Sequence, residues 1–229
     1  TTVTVDPDGN LLPGTGYAVA IDAGAFRDAA GNRFAGLAGT TAWNFSTLAA
    51  SPDDYPLATA TPGVVTANGA SLRARIDNPN DGDLFRVALS AGVTYQFDMA
   101  GAAGSAVDPY LVLYGLLPET ELIDYNDDDE SRATLDSRLF FTPSTAGTFY
   151  LGAYDYAEAT GAYDIRAAAP ADDYLGATNT AGRVAPGASA NGRIGVPSDI
   201  DMFALSATAG GEYFVSVATR GAAGLSDPY

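Results

Sequence analysis

A chain of 229 residues, 47% of them hydrophobic, can bury a substantial core, which argues against disorder. Its 28 acidic against 11 basic residues leave a net charge of −17, a surface that repels nucleic acid and anionic lipid and attracts cations. Cysteine, histidine and lysine are absent, so Ser-His-Asp and Cys-His nucleophilic sites, Schiff-base lysines, Cys/His zinc sites and disulfide frameworks are excluded.

Along the chain, short alternating runs recur between Gly and Pro: "YAVAI" (Tyr17, Val19, Ile21), "YQFDM" (Tyr95, Phe97, Met99), "YLVLY" (110–114) and "FYLGAY" (149–154). Period-two alternation bounded by turn residues predicts half-buried strands, and nothing sustains the 3.6 period of a long helix. The expected fold is all-β, in tandem β-sandwich modules. No apolar run approaches the roughly 20 residues of a membrane span, so membrane insertion is not expected. The chain begins without Met or a signal-like stretch and reads as a piece of something longer.

An internal repeat sets the expected domain map. "DDY" at 53–55 returns at 172–174, "NPNDGDLFRVALSAGVTYQF" (78–97) returns as "VPSDIDMFALSATAGGEYFV" (196–215), and "VDPY" (107–110) returns as "SDPY" (226–229). Residues 51–170 therefore read as one complete module and 171–229 as the first half of a second, joined by "AAAPADDY" (167–174). Residues 1–50 stand outside the repeat. Their "LLPGTGYAVAIDAGAFRDAAGNRFAGLAGTTAWNFST" resembles the later half of bacterial Ig-like domains of S-layer and surface proteins. The resemblance implies that Tyr17, Phe26, Trp43 and Phe45 are core positions and Asp28 to Asn32 a turn.

Aspartate is clustered. Asp53 and Asp54 stand in "SPDDY", and Asp81 and Asp83 in "NDGDLF"; the second copy offers Asp172, Asp173, Asp199 and Asp201. A third group comprises Asp108 of "VDPY" with Asn126, Asp127, Asp128, Asp129 and Asp136. Like charges this close are costly unless they spread into water or gather around a cation, and the sequence has no ammonium group to help. Oxygen ligands at this density select a hard ion, and Ca²⁺, with about 6 to 8 oxygens in loose geometry, suits them better than Mg²⁺. The spacing is not that of an EF-hand. Asp108 and Asp136 also fit turn-capping roles, and the Asp127–Asp129 loop fits a charged loop that blocks edge pairing.

The series "SPDDY…DGDLFRVALSAGVTYQFDM…VDPYLVLY…NDDDESRATLDSRLFFTPSTAGTFYLGAY…GAYDI" resembles the bacterial pre-peptidase C-terminal domain across residues 51–167. That resemblance implies a jelly-roll-like sandwich appended to secreted proteases, collagenases and large surface proteins. It implies that Asp53, Asp54, Asp81 and Asp83 hold Ca²⁺, with Asp172, Asp173, Asp199 and Asp201 as the second set. The Asp108, Asn126–Asp129 and Asp136 group then reads as a further cation site tying strand ends.

The expected function is that of a non-catalytic, calcium-stabilised module of an extracellular or cell-surface bacterial protein, serving as spacer or adhesive segment. One alternative is an accessory module that carries a secreted hydrolase to an extracellular polymer, using its 13 tyrosines. Another is a fibre subunit, in which neighbouring copies of the chain complete each other's sheets by strand addition.

Overall fold

The computed structural model describes residues 4–7, 9–115 and 121–219; the "SDPY" of 226–229 lies outside them. Among the described residues the fold is all-β, twelve strands in four sheets, with no helix long and apolar enough to cross a membrane.

The first segment is a single thin layer. Strands β1 (Gly16–Ala18) and β2 (Asn44–Ser46) pair antiparallel, and bridges at Ile21↔Leu37 and Arg27↔Arg33 extend the ribbon. Its tip is the expected turn, where Asp28 Oδ1 accepts the Ala30 and Asn32 N–H groups at 3.0 and 2.8 Å. Tyr17 stacks on Phe45 with centroids 5.7 Å apart, and Phe26 lies against Phe34. These aromatics do not form the enclosed core expected of them, since Trp43, Phe45 and Phe26 remain exposed. Two short strands have no second layer to close over their apolar face.

The eight strands that follow build a sandwich. They are β3 (Leu72–Ile76), β4 (Gly82–Leu89), β5 (Tyr95–Gly101), β6 (Pro109–Tyr114), β7 (Leu122–Asn126), β8 (Ser137–Phe141), β9 (Gly147–Asp155) and β10 (Gly161–Ala168). One sheet runs β3-β10-β5-β8 and the other β4-β9-β6-β7, every pair antiparallel. The chain crosses repeatedly between them, as in a jelly roll. Alternation sorts the side chains. Phe85, Val87 and Leu89 of β4, Phe97 and Met99 of β5, Leu111 and Leu113 of β6, and Tyr163 and Ile165 of β10 fill the space between the sheets.

The two outer faces differ. On the first sheet, register places Asp98 of β5 between Arg138 of β8 and Arg166 of β10, with ion pairs of 2.7 and 2.9 Å. Arg73 meets Asp164 at 2.6 Å in the next strand pair. On the second sheet, register sets Tyr110 opposite Tyr154 and Tyr114 opposite Tyr150, an aromatic row in which Tyr150 is buried.

The second copy repeats the beginning of this plan. Strands β11 (Arg183–Val184) and β12 (Ala204–Leu205) pair in parallel where the first copy has the parallel bridge Val64↔Arg86. Tyr174 packs on Phe203 at 4.6 Å as Tyr55 packs on Phe85 at 4.8 Å. Gly63 and Gly182 are the seats of this packing: a Cβ at Gly63 would stand 2.7 Å from Phe85 Cδ1, and one at Gly182 2.9 Å from Phe203 Cδ1. Beyond Leu205 the described residues form no strand, and Phe214 and Val215 are exposed. Strands β4 and β5 take their partners from β8, β9 and β10, later in the module, and the described residues stop before any counterparts of these.

Candidate metal centre

Strand alternation turns Asp83 inward. It shares the core-facing side of β4 with Phe85, Val87 and Leu89, so a carboxylate takes the last position of an apolar row and has no exposed surface. Tyr163 of β10 donates its hydroxyl to Asp83 Oδ2, while Oδ1 is buried without a hydrogen-bond partner. The turn before β4 delivers Asp81, whose Oδ2 accepts the Asp77 N–H at 2.8 Å and whose Oδ1 accepts the Gly82 N–H at 3.0 Å. Packing of Tyr55 on Phe85 brings the preceding segment alongside, and with it Asp53.

Asp53, Asp81 and Asp83 each offer an oxygen, and the three oxygens all lie within 4.8 Å of one another. Calcium–oxygen bonds are about 2.3–2.6 Å, so two ligands of one ion can be up to about 5 Å apart, and the trio fits a single hard cation. Without one the arrangement is costly. Burial, only partly offset by the Tyr163 hydrogen bond, and then the charges of Asp54, Asp81 and Asp53 push the Asp83 carboxyl up to about 8. Burial and Asp77 push Asp54 up to about 6, and burial with Asp81 raises Asp53. A carboxylate oxygen buried without a partner, inside a set of hard donors, is what a bound cation would satisfy.

The repeat rebuilds the same trio. Asp172, Asp199 and Asp201 also bring one oxygen each within 4.8 Å of the others, and among the described residues these two trios are the groups that do so. Asp172 Oδ2 and Asp201 Oδ1 are buried without hydrogen-bond partners. Asp199 Oδ2 accepts the Gly195 N–H at 2.6 Å, the counterpart of the bond between Asp81 and Asp77. Burial and then Asp173 push Asp201 up to about 6. Asp54 and Asp173, expected as ligands, stand beside the trios; Asp54 uses its N–H to reach Asp77 Oδ2 at 3.2 Å.

The third predicted group is engaged differently. Asp129 is neutralised by Arg132 at 3.2 Å and Arg138 at 3.3 Å and accepts the Ser131 hydroxyl, so arginine supplies the counter-charge assigned from sequence to a cation. Asn126 is spent on the loop itself, its Oδ1 accepting the Arg138 N–H and its Nδ2 donating to the Asp128 carbonyl, both at 2.9 Å. Asp127 Oδ1 accepts the Asp128 N–H at 3.0 Å, and the Asp136 N–H donates to Thr134 at 3.3 Å. Asp108 keeps a buried, unpartnered Oδ1, and burial followed by Asp128, Asp155 and Asp127 raises its carboxyl. Asp108, Asn126, Asp127, Asp128, Asp129 and Asp136 form no carboxylate trio of the kind above.

Two residues escaped sequence reasoning. Asp155 organises a turn by accepting the N–H groups of Asp108, Ala157 and Ala159 at 2.6, 2.9 and 2.5 Å. Tyr163, one tyrosine among many, is the hydroxyl that meets Asp83; its place in the inward register of β10 was the available signal.

The fold and the paired acidic centres define an all-β tandem module with two equivalent positions able to hold a metal ion. Residues 1–47 match the family model of the bacterial Ig-like domain, where sequence reading had placed an Ig-like segment. No curated protein matches the chain. Among solved structures, the chain is similar to the pre-peptidase C-terminal domain of a collagenase from Bacillus anthracis, a domain of the kind that residues 51–167 resemble in sequence. The identity is 11% and the TM-score 0.37, covering 51% of this chain and 97% of that one. It is also similar to periplasmic inhibitors of g-type lysozyme from Aeromonas hydrophila and Salmonella Typhimurium. Each is 14% identical, with TM-scores of 0.33 and 0.31, covering 46% of this chain and 97% of each inhibitor.

Proposed function

We propose that the chain is a non-catalytic, calcium-stabilised segment of a large bacterial surface or secreted protein, working outside the cell as a spacer or adhesive element. Its units are an Ig-like segment (1–50), a complete sandwich (51–170) and the first half of a second (171–229). The observation that carries this reading is Asp83, a fully buried carboxylate with an unpartnered oxygen, facing two more carboxylates. A cation bound there favours only the folded state, because the three ligands meet only after β4 has paired and the 51–55 segment has docked. The recurrence of the trio just after the inter-module linker supports an ion that stiffens the joint as well as the module. The test is thermal melting and small-angle scattering with Ca²⁺ and with EDTA. Chelation is expected to lower the melting temperature and loosen the inter-module geometry, and indifference of both to EDTA contradicts the reading.

A second reading, a polymer-binding accessory module, is favoured by the outer face of the β4-β9-β6-β7 sheet. There Tyr110 lies 5.8 Å from Tyr125 and 6.3 Å from both Tyr154 and Tyr156, and Tyr125 and Tyr156 are 56% and 66% exposed. Aromatic surfaces of this kind stack on sugar rings or grip extended chains. Pull-down on insoluble polysaccharide and on collagen checks it: Tyr125→Ala with Tyr156→Ala should abolish retention, and an intact chain that is not retained contradicts it.

A further inference from the structure

The loop that carries Asp199 is not held by its own copy alone. It lies against the end of the first sandwich formed by the turn 90–94, which leads into β5, and by residues 142–143, which follow β8. Thr142 Oγ1 donates to the Ser198 carbonyl at 2.5 Å. Thr94 Oγ1 stands 2.8 Å from Thr142 Oγ1 and 3.4 Å from Asp199 Oδ1, and its single proton serves one or the other. The Gly176 N–H donates to the Gly92 carbonyl at 2.9 Å, while the Gly92 N–H donates to Pro143 at 2.8 Å. Gly92 has φ +72°, and a Cβ there would overlap Ala177 and lie 2.8 Å from its nitrogen. Side-chain, main-chain and steric fit therefore coincide at one small surface.

We propose that this end of the first sandwich is an interface built for the copy that follows it, and that Thr94 and Thr142 are positioning residues for the second carboxylate trio. The part concerning the trio rests on the cation reading above; the interface itself does not. The surface is directional, because the repeat puts Glu212 where Thr94 stands. That turn of the second copy presents a carboxylate, which would oppose the aspartate of a docking loop instead of donating to it. Coupling is reciprocal, so whatever holds the loop for the interface also holds it for the ion, and the ion in turn tightens the joint.

The chain lacks cysteine, so Ala70→Cys and Ala188→Cys at exposed positions give one spin-label pair across the joint. Pulsed dipolar spectroscopy should show one narrow distance distribution, broadened strongly by Gly92→Ala and less by Thr142→Val. Thr142→Val loses only a hydroxyl and serves as the variant that keeps its fold. In a Ca²⁺ titration by calorimetry, Thr142→Val should weaken one of the two binding events by about three- to ten-fold and leave the other unchanged. A broad distribution in the parent chain, or a narrow one untouched by both variants, overturns the interface. Equal weakening of both events, or of neither, overturns the positioning role. Variants that broaden the distribution in a chain that binds no Ca²⁺ keep the interface and end the cation reading.

Discussion

In the first copy one member of the trio is sealed. Asp83 is shut into the core by β9 and β10 and meets Tyr163, and its carboxyl is pushed up to about 8. In the second copy the same trio stands on the same backbone bond, from residue 77 or 195 to the aspartate four positions on, but Asp201 keeps some exposure and is pushed only to about 6. The first copy also carries Asp77, paired with Arg75 at 3.3 Å, where the second has Gly195. The ligands thus belong to the early part of the module, and the electrostatic cost of leaving them without an ion is set by the strands that close over them later.

The largest expected effect that separates the copies is that of Asp83→Asn. With free Ca²⁺ at about 100 times its dissociation constant, one bound ion contributes about 2.7 kcal/mol, which this variant should lose. Without Ca²⁺ it should cost little or raise the melting temperature, since it removes an ionisable group from the core. Asp201→Asn should show the same signs with a smaller amplitude in both conditions. Equal amplitudes from the two variants would mean that closure by later strands does not matter.

Tyr163→Phe comes next. It strips Asp83 Oδ2 of its hydroxyl partner and should destabilise the first sandwich by about 1–3 kcal/mol in denaturant unfolding, leaving Ca²⁺ binding at the second trio untouched.

The pH dependence sharpens the same comparison. A carboxyl raised in the folded state favours folding fully below its unfolded value of 3.8 and loses that contribution as pH climbs through the folded value. Without Ca²⁺, the Asp83 contribution should therefore decline between about pH 4 and pH 8, and those of Asp54 and Asp201 between about pH 4 and pH 6. Saturating Ca²⁺ should flatten the decline, and calorimetry in buffers of different ionisation enthalpy should register proton release on binding near pH 7. A melting temperature that rises from pH 4 to pH 8 without the ion would contradict the assignment.

Much of this was legible in the residues. Period-two runs such as "YQFDM" and "FYLGAY" became β5 and β9, and the recurring "DDY" and "D-x-D-x-F" spacings became twin trios, because both are local patterns that the repeat displays twice. What stayed hidden depends on partners from elsewhere in the chain. Asp129 looked like a ligand until Arg138 of β8 arrived beside it, and Asp83, expected as a ligand, gave no sign of its burial until the register of β10 set Tyr163 against it. Thr94 and Thr142 carry no sequence signal, because their role exists only where two modules meet.

Anomalous diffraction from crystals of the chain grown in Ca²⁺ tests the account most directly. The expected result is a peak about 2.3–2.6 Å from an oxygen of each of Asp53, Asp81 and Asp83, with its counterpart at Asp172, Asp199 and Asp201. Density without either peak, with Asp83 Oδ1 bonded to water or to a protonated neighbour, would contradict it.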